Sequence, residues 1–142
     1  MECNVIAKDP INPSHYKNGP FKMKNLECIE VTRHLPFAAG NAVKYVWRAG
    51  NKGPVMEDLK KAMWYLTEWI SSASDPGQKI NAPSPFAIAK AIFELTEIAY
   101  EDGFTTVKRE IIMCILDCNP EAAKEKIETW SKETKSLKHD DN

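Results

Sequence analysis

The run from Gly40 to Leu66, GNAVKYVWRAGNKGPVMEDLKKAMWYL, limits what this chain can fold into more than any other stretch. It reads as two helical segments meeting at a short Gly/Pro joint. In a helix over Ala42 to Ala49, residues Asn41, Lys44, Tyr45 and Arg48 fall at i, i+3, i+4 and i+7 and share one stripe. Val43, Val46, Trp47 and Ala49 stand opposite, with enough apolar surface to dock. Arg48 sits near the helix C-terminus, Gly50 offers a positive-φ stop, and Lys52 projects from the loop. An amphipathic helix needs a polar face, but it does not need Asn, Lys, Tyr and Arg in one row. The row reads as a face that handles an anion such as phosphate. The plainer reading beside it is an ordinary solvated face.

The other elements follow from spacing and breakers. Pro10, Pro13 and Gly19-Pro20 make residues 1 to 24 an extended arm or loop. Leu26 to Leu35 is expected as a short helix with Asn25 as N-cap, stopped by Pro36. A second helix is expected from Phe37 or Ala38 to Ala49. A third covers Val55 to Ser72, with Leu59, Met63, Leu66 and Ile70 inward and Glu57 and Asp58 in its first turn. Ser71 to Pro85, SSASDPGQKINAPSP, has no periodicity and reads as a linker or long surface loop. Beyond it come helices over Phe86 to Tyr100, with Ile88, Ile92, Leu95 and Ala99 as core face, Thr105 or Thr106 to Asp117, and Glu121 to Thr134. The last offers Ile127 and Trp130 to a partner surface, and a frayed tail is expected from Lys138.

No convincing period-two strand occurs. The expected fold is therefore all-α: a compact domain of about six helices with an extended Pro-rich arm. Its division is 1–72 (arm plus three helices), 73–85 (linker or loop) and 86–142, a C-terminal helical segment whose role the sequence does not give.

Charge narrows the partners. The net charge is −1, so no global field draws the chain to DNA or a membrane. Between Arg33 and Lys61, however, Arg33, Lys44, Arg48, Lys52, Lys60 and Lys61 face only Glu57 and Asp58. A local basic patch on a near-neutral protein points to a small anionic ligand; no nucleic-acid partner is expected. No signal peptide opens the chain, and no apolar run approaches the ~20 residues that span a bilayer. The expected location is cytoplasmic, with reduced thiols. Cys114 and Cys118 have a possible metal spacing but lie in an apolar run without a nearby His, and read as a buried structural pair.

Three groupings bear on chemistry. There is no G-x-x-x-x-G-K-[ST] and no G-x-G-x-x-G, so nucleotide chemistry here must use side-chain cations and helix ends. Lys44, Arg48 and Lys52 are the candidate cations, Arg48 being able to grip two oxygens. Pro13-Ser14-His15-Tyr16 places a titratable ring and two polar groups on the arm, which reads equally as a functional loop or as a surface loop with Tyr16 packed on the body. Glu27, Glu30, Glu57 and Asp58 could hold Mg²⁺, as in all-α nucleotide pyrophosphohydrolases; the plainer reading is helix-start charges paired with Lys60 and Lys61. Trp47, Trp64, Trp69, Trp130 and Tyr65 are either core or base-stacking rings. Trp64 and Tyr65 are adjacent, so one of them faces away from the main stripe.

The ordered set Pro13, Ser14, His15, Tyr16; Glu27, Ile29, Glu30; Gly40, Asn41, Lys44, Tyr45, Arg48, Gly50, Lys52; and Asp58, Leu59, Lys61, Ala62, Tyr65 resembles a phage family called SaV-like. The resemblance covers about residues 12 to 70 of a family largely of unknown function. It implies a virus-encoded protein of the host cytoplasm. One relative, in short-tailed coliphages, is a nucleotide kinase without a P-loop that phosphorylates deoxynucleoside monophosphates and needs no metal. On that model ATP or dATP is the co-substrate, with no cofactor or metal. From the chemistry of the matching positions, Lys44, Arg48 and Lys52 are expected to bind phosphates and stabilise charge in transfer, and His15 to act on the acceptor or the transferred phosphoryl group. Ser14 is expected to bind substrate, Asn41 and Tyr45 to orient it, and Tyr16 or Trp47 to stack on the base. Alternatives are a non-catalytic protein that sequesters a nucleotide, perhaps against host defence, and the Mg²⁺-dependent pyrophosphohydrolase. Self-association into a homo-oligomer is expected in each case.

Overall fold

A computed structural model describes residues 26–51, 53–72, 84–95 and 103–140. The arm with Ser14, His15 and Tyr16, the loop residue Lys52, and residues 73–83 of the expected linker lie outside the described residues. Six helices occur in the order α1 (Cys28–Thr32), α2 (Phe37–Arg48), α3 (Val55–Ser72), α4 (Pro85–Glu94), α5 (Gly103–Leu116) and α6 (Pro120–Asp140). Among the described residues there is no strand, so the all-α expectation holds.

α1 is shorter than the periodicity implied. Glu27 caps it: its backbone N–H donates to Glu30 Oε2 at 2.6 Å, the arrangement of a capping box. The expected cap, Asn25, lies outside the described residues. At the other end Pro36 disfavours helical backbone at Leu35, so the chain leaves through tight turns. His34 N donates to Val31 O at 3.3 Å and Leu35 N to Thr32 O at 3.0 Å.

α2 buries Ala39, Gly40, Ala42, Val43, Val46 and Trp47, the apolar side read from its spacing. α1 crosses α2 beside Gly40, where a Cβ would stand 3.4 Å from the Thr32 carbonyl oxygen and 3.8 Å from Leu35 Cβ, ordinary contact distances that leave room for alanine. The helix stops at Arg48, where Gly50 takes φ 83°, a left-handed turn that costs glycine nothing. α3 returns along α2 and buries Leu59, Ala62 and Leu66, with Met63 and Ile70 half-buried on the same side.

The α2–α3 hairpin is not a separate body. α3 also packs on α6, and α2 on α5. One core therefore runs from Trp47 and Leu66 through Phe93 to Ile111, Ile115, Ile127 and Trp130, joining the two halves of the chain.

α4 corrects an expectation. Ser84 caps it by accepting from Ala87 N at 3.2 Å, and Pro85 occupies the first position. Its buried residues are Ala89 and Phe93, whereas Ile88 is 41% and Leu95 86% exposed. The segment PFAIAKAIF is apolar nearly all round, so spacing could not choose a face. The contact of Phe93 with Trp47, ring centroids 6.1 Å apart, chooses it. α6 begins where Asn119-Pro120 implied, with Ala122 N donating to Asn119 Oδ1 at 3.2 Å, and it runs on to Asp140 instead of fraying at Lys138.

α5 ends in a Schellman turn: Asn119 N donates to Cys114 O at 2.9 Å and Cys118 N to Ile115 O at 3.0 Å. Cys118 takes the left-handed position, φ 58°, where a Cβ is strained. Cys118→Gly is expected to raise stability by about 0.5 kcal/mol, after part of the relief is lost to the freer unfolded chain. Urea unfolding measures this; a lower midpoint would show that the thiol's packing outweighs the strain.

Candidate functional site

The polar stripe of α2 meets α3 along a seam of rings and cations. Tyr45 stacks on Tyr65 with centroids 5.9 Å apart and planes 13° from parallel. Three cations gather round the Tyr45 ring: Lys44 Nζ at 4.4 Å from its centroid, Lys61 Nζ at 5.4 Å and Arg48 Cζ at 5.5 Å. Each such contact contributes about 0.5–1 kcal/mol at an accessible site, enough to bias where the flexible side chains rest. Lys44 and Arg48 were expected together from their spacing. Lys61 comes from the facing helix, one turn before Tyr65.

The three cations are not equivalent. Arg48 Nε lies 3.2 Å from Asp58 Oδ1, and Asp58 is buried at 2% exposure. Arg48 is thus tied into the hairpin, and its first role is to close the seam; the carboxylate pairs across helices with Arg48, not with Lys60 or Lys61 as the local reading had it. Among the described residues neither Lys44 nor Lys61 has a carboxylate partner. Two uncompensated ammonium groups beside one ring are the arrangement an anion would relieve.

Asn41 lies one turn before Lys44 and Tyr45. Its Nδ2 donates to Phe37 O at 2.9 Å, which fixes the amide. Asn41 and Lys44 line a shallow cavity of about 220 Å³ walled by Thr32, Leu35, Pro36 and Phe37. Beneath Lys44 lies the buried Cys28, whose thiol is pushed up to about 12 by burial while the charge of Lys44 pulls the other way.

The raised thiol gives a pH dependence. Its folded value stands above the 9.0 of the unfolded chain, so the stability it carries is fully present below pH 9 and is lost as pH rises toward 12. The loss from this group is about 1.4 kcal/mol per pH unit in that window. Urea melts between pH 8 and 10.5 should fall more steeply for the wild type than for Cys28→Ala, and equal slopes would contradict the assignment. Cys114 and Cys118, expected as a buried pair, are only half-buried, and their thiols are raised chiefly by partial burial.

One expected ring is misplaced for binding. Trp47 is fully buried, packed edge-on against Phe93, and cannot stack on a base without unpacking the core. Among the described residues the exposed rings are Trp64 at 60% and Phe37 at 77%, each edge-on to Tyr65 with centroids 5.0 and 5.9 Å away. Of the adjacent Trp64 and Tyr65, it is Trp64 that faces outward. Ser14, His15, Tyr16 and Lys52 lie outside the described residues.

The acidic residues do not converge. Glu30 is engaged at the start of α1, Asp58 is paired with Arg48, and Glu57 is exposed. No group of three His, Cys, Asp or Glu capable of holding a metal occurs among the described residues. No described helix is long and apolar enough to cross a membrane.

One buried polar residue gave no warning in the sequence. Lys108 of α5 is fully buried, and its Nζ donates to the Trp47 carbonyl oxygen at 2.8 Å. It braces the C-terminal end of α2 next to Arg48, where the helix dipole favours a cation. A lone lysine within TTVKREII carries no pattern that separates it from a solvated one.

Residues 11–67 match the model of a family described as protein of unknown function (DUF3310). The match takes in α1, α2 and most of α3, and therefore the whole seam, but less than half of the chain. No curated protein and no solved structure matches.

Proposed function

We propose that this protein binds a nucleotide on the α2/α3 face and acts as a P-loop-less nucleoside monophosphate kinase, transferring a phosphoryl group from ATP or dATP to a deoxynucleoside monophosphate. The observation that carries the reading is the pair Lys44 and Lys61 beside Tyr45, neither with a carboxylate partner among the described residues. With no glycine-rich phosphate loop in the sequence, cationic side chains and helix ends are the means left for holding phosphate, and the cations are what this face presents. The resemblance to the SaV-like phage family supports the same class, and implies that the reaction would run in an infected host cell. In the proposed reaction Lys44 and Lys61 hold phosphate oxygens and offset charge as it develops on the transferred group. Arg48, tethered by Asp58, fixes the spacing of the cluster. Asn41 and Tyr45 orient the acceptor, and His15 acts on the acceptor or the transferred phosphoryl group.

Thin-layer analysis of labelled deoxynucleoside monophosphates incubated with ATP tests the kinase. Diphosphate should form, and EDTA should not abolish it. No product from any of the monophosphates removes the kinase reading, diphosphate formation that EDTA abolishes makes the kinase metal-dependent, and EDTA-sensitive hydrolysis of a labelled nucleoside triphosphate to monophosphate and pyrophosphate would favour the pyrophosphohydrolase instead.

A second reading, sequestration of a nucleotide without turnover, is favoured by the make-up of the face. Apart from the paired Asp58 and the exposed Glu57, one turn before Lys61 on α3, its described side chains are cations, amide and rings, and no carboxylate among the described residues is ion-paired with Lys44 or Lys61. It is recognised by a ligand-dependent rise in melting temperature with the ligand recovered unchanged.

A further inference from the structure

Cations alone account for only one end of a nucleotide. The seam also presents rings that the core does not use. Trp64 is 60% exposed and shares contact with Tyr65 with the exposed Phe37, so the face carries a grouped aromatic surface and not one stray ring. It stands on α3 three residues after Lys61, the spacing that puts two side chains on the same side of a helix about 5–6 Å apart at Cβ. Its ring meets Tyr65 edge-on, and Tyr65 in turn stacks on Tyr45, the ring that the cations surround. The rings therefore lead from the lysine cluster at the seam to an accessible indole.

We propose that Trp64 is the base platform of this site: the free base stacks on the indole while the phosphate lies on Lys44 and Lys61. The proposal rests on the nucleotide reading above and names the ring that Trp47, being buried, cannot supply. Every base has a π-face, so a platform of this kind tolerates them all. The four deoxynucleoside monophosphates should then bind within a few-fold of one another, and ligands lacking a base should bind without engaging Trp64.

Calorimetric titration of dAMP, dGMP, dTMP, dCMP and inorganic pyrophosphate into the full chain tests this, in the wild type, Trp64→Ala and Trp64→Phe. Trp64→Ala should weaken every nucleotide about tenfold and leave pyrophosphate unchanged, and Trp64→Phe should restore most of the loss. Bound nucleotide should quench tryptophan fluorescence in the wild type and not in Trp64→Phe. Nucleotide affinity that Trp64→Ala leaves intact overturns the platform and spares the nucleotide reading. A wild type that binds neither nucleotide nor pyrophosphate overturns both. If Trp64→Ala instead changes the sedimentation of the protein without changing nucleotide affinity, the ring is a self-association contact and the platform is wrong.

Discussion

Asp58→Ala should destabilise the protein by about 3 kcal/mol, because it leaves the Arg48 guanidinium in the seam without its counter-charge. Asp58 is 2% exposed and its Oδ1 lies 3.2 Å from Arg48 Nε, so the pair is shielded from water on the acidic side. Surface ion pairs contribute at most about 1 kcal/mol, and that smaller figure would apply if both partners were solvated. Here removal of the acid also takes the one buried carboxylate among the described residues away from the three cations round Tyr45. Arg48→Ala should be comparably costly for the opposite reason, a buried carboxylate with no partner. The double variant should cost at least 1 kcal/mol less than the two single losses together, since neither charge is then stranded. Urea unfolding of the four proteins measures the cycle. An Asp58→Ala midpoint within error of wild type would show that the seam is held by its rings alone.

The second large effect is expected at Lys108. Lys108→Ala removes a fully buried stem and the donor to the Trp47 carbonyl, at a cost of about 3–4 kcal/mol. Lys108→Met keeps the stem's volume and loses only the donor. The unpaired carbonyl costs about 1–3 kcal/mol, and this is offset because no ammonium group has to be buried. Met should therefore be clearly better tolerated than Ala. If the two variants are equally destabilised, the hydrogen bond to α2 outweighs the packing; if both are neutral, the brace is dispensable. Because Lys108 acts at the residue before Arg48, the Ala variant should also weaken nucleotide binding, through displacement of the seam.

Which parts of this were legible in the sequence has a physical pattern. The stripe Asn41, Lys44, Tyr45, Arg48 and its buried opposite side came from 3.6-residue spacing, which holds wherever one face of a helix is polar. Gly50 and Asn119-Pro120 were legible because backbone conformation demands those residues locally. The face of α4 was not, since a segment apolar all round has no preferred side until Phe93 meets Trp47. The Arg48–Asp58 pair was missed for a related reason: neighbour rules along one helix pointed Asp58 at Lys60 and Lys61, whereas its partner stands on another helix. Lys61 and Trp64 were visible as residues, but their place beside Tyr45 depends on how α2 and α3 are turned toward each other. Trp47 shows the converse, an aromatic residue adjacent to the polar stripe that the core takes entirely.

The proposed site depends on Lys44 and Lys61 acting as a pair on phosphate. The exposed Lys61 and the half-buried Lys44 each supply little net affinity, so their joint effect has to be read against a ligand that also stacks. Calorimetric titration of dAMP into the wild type and into the Lys44→Ala/Lys61→Ala double variant, at two salt concentrations, reads it directly. The wild type should bind, with affinity falling as salt rises, and the double variant should lose at least about tenfold in affinity and most of the salt dependence. Equal affinity and equal salt dependence in the two proteins would contradict the account.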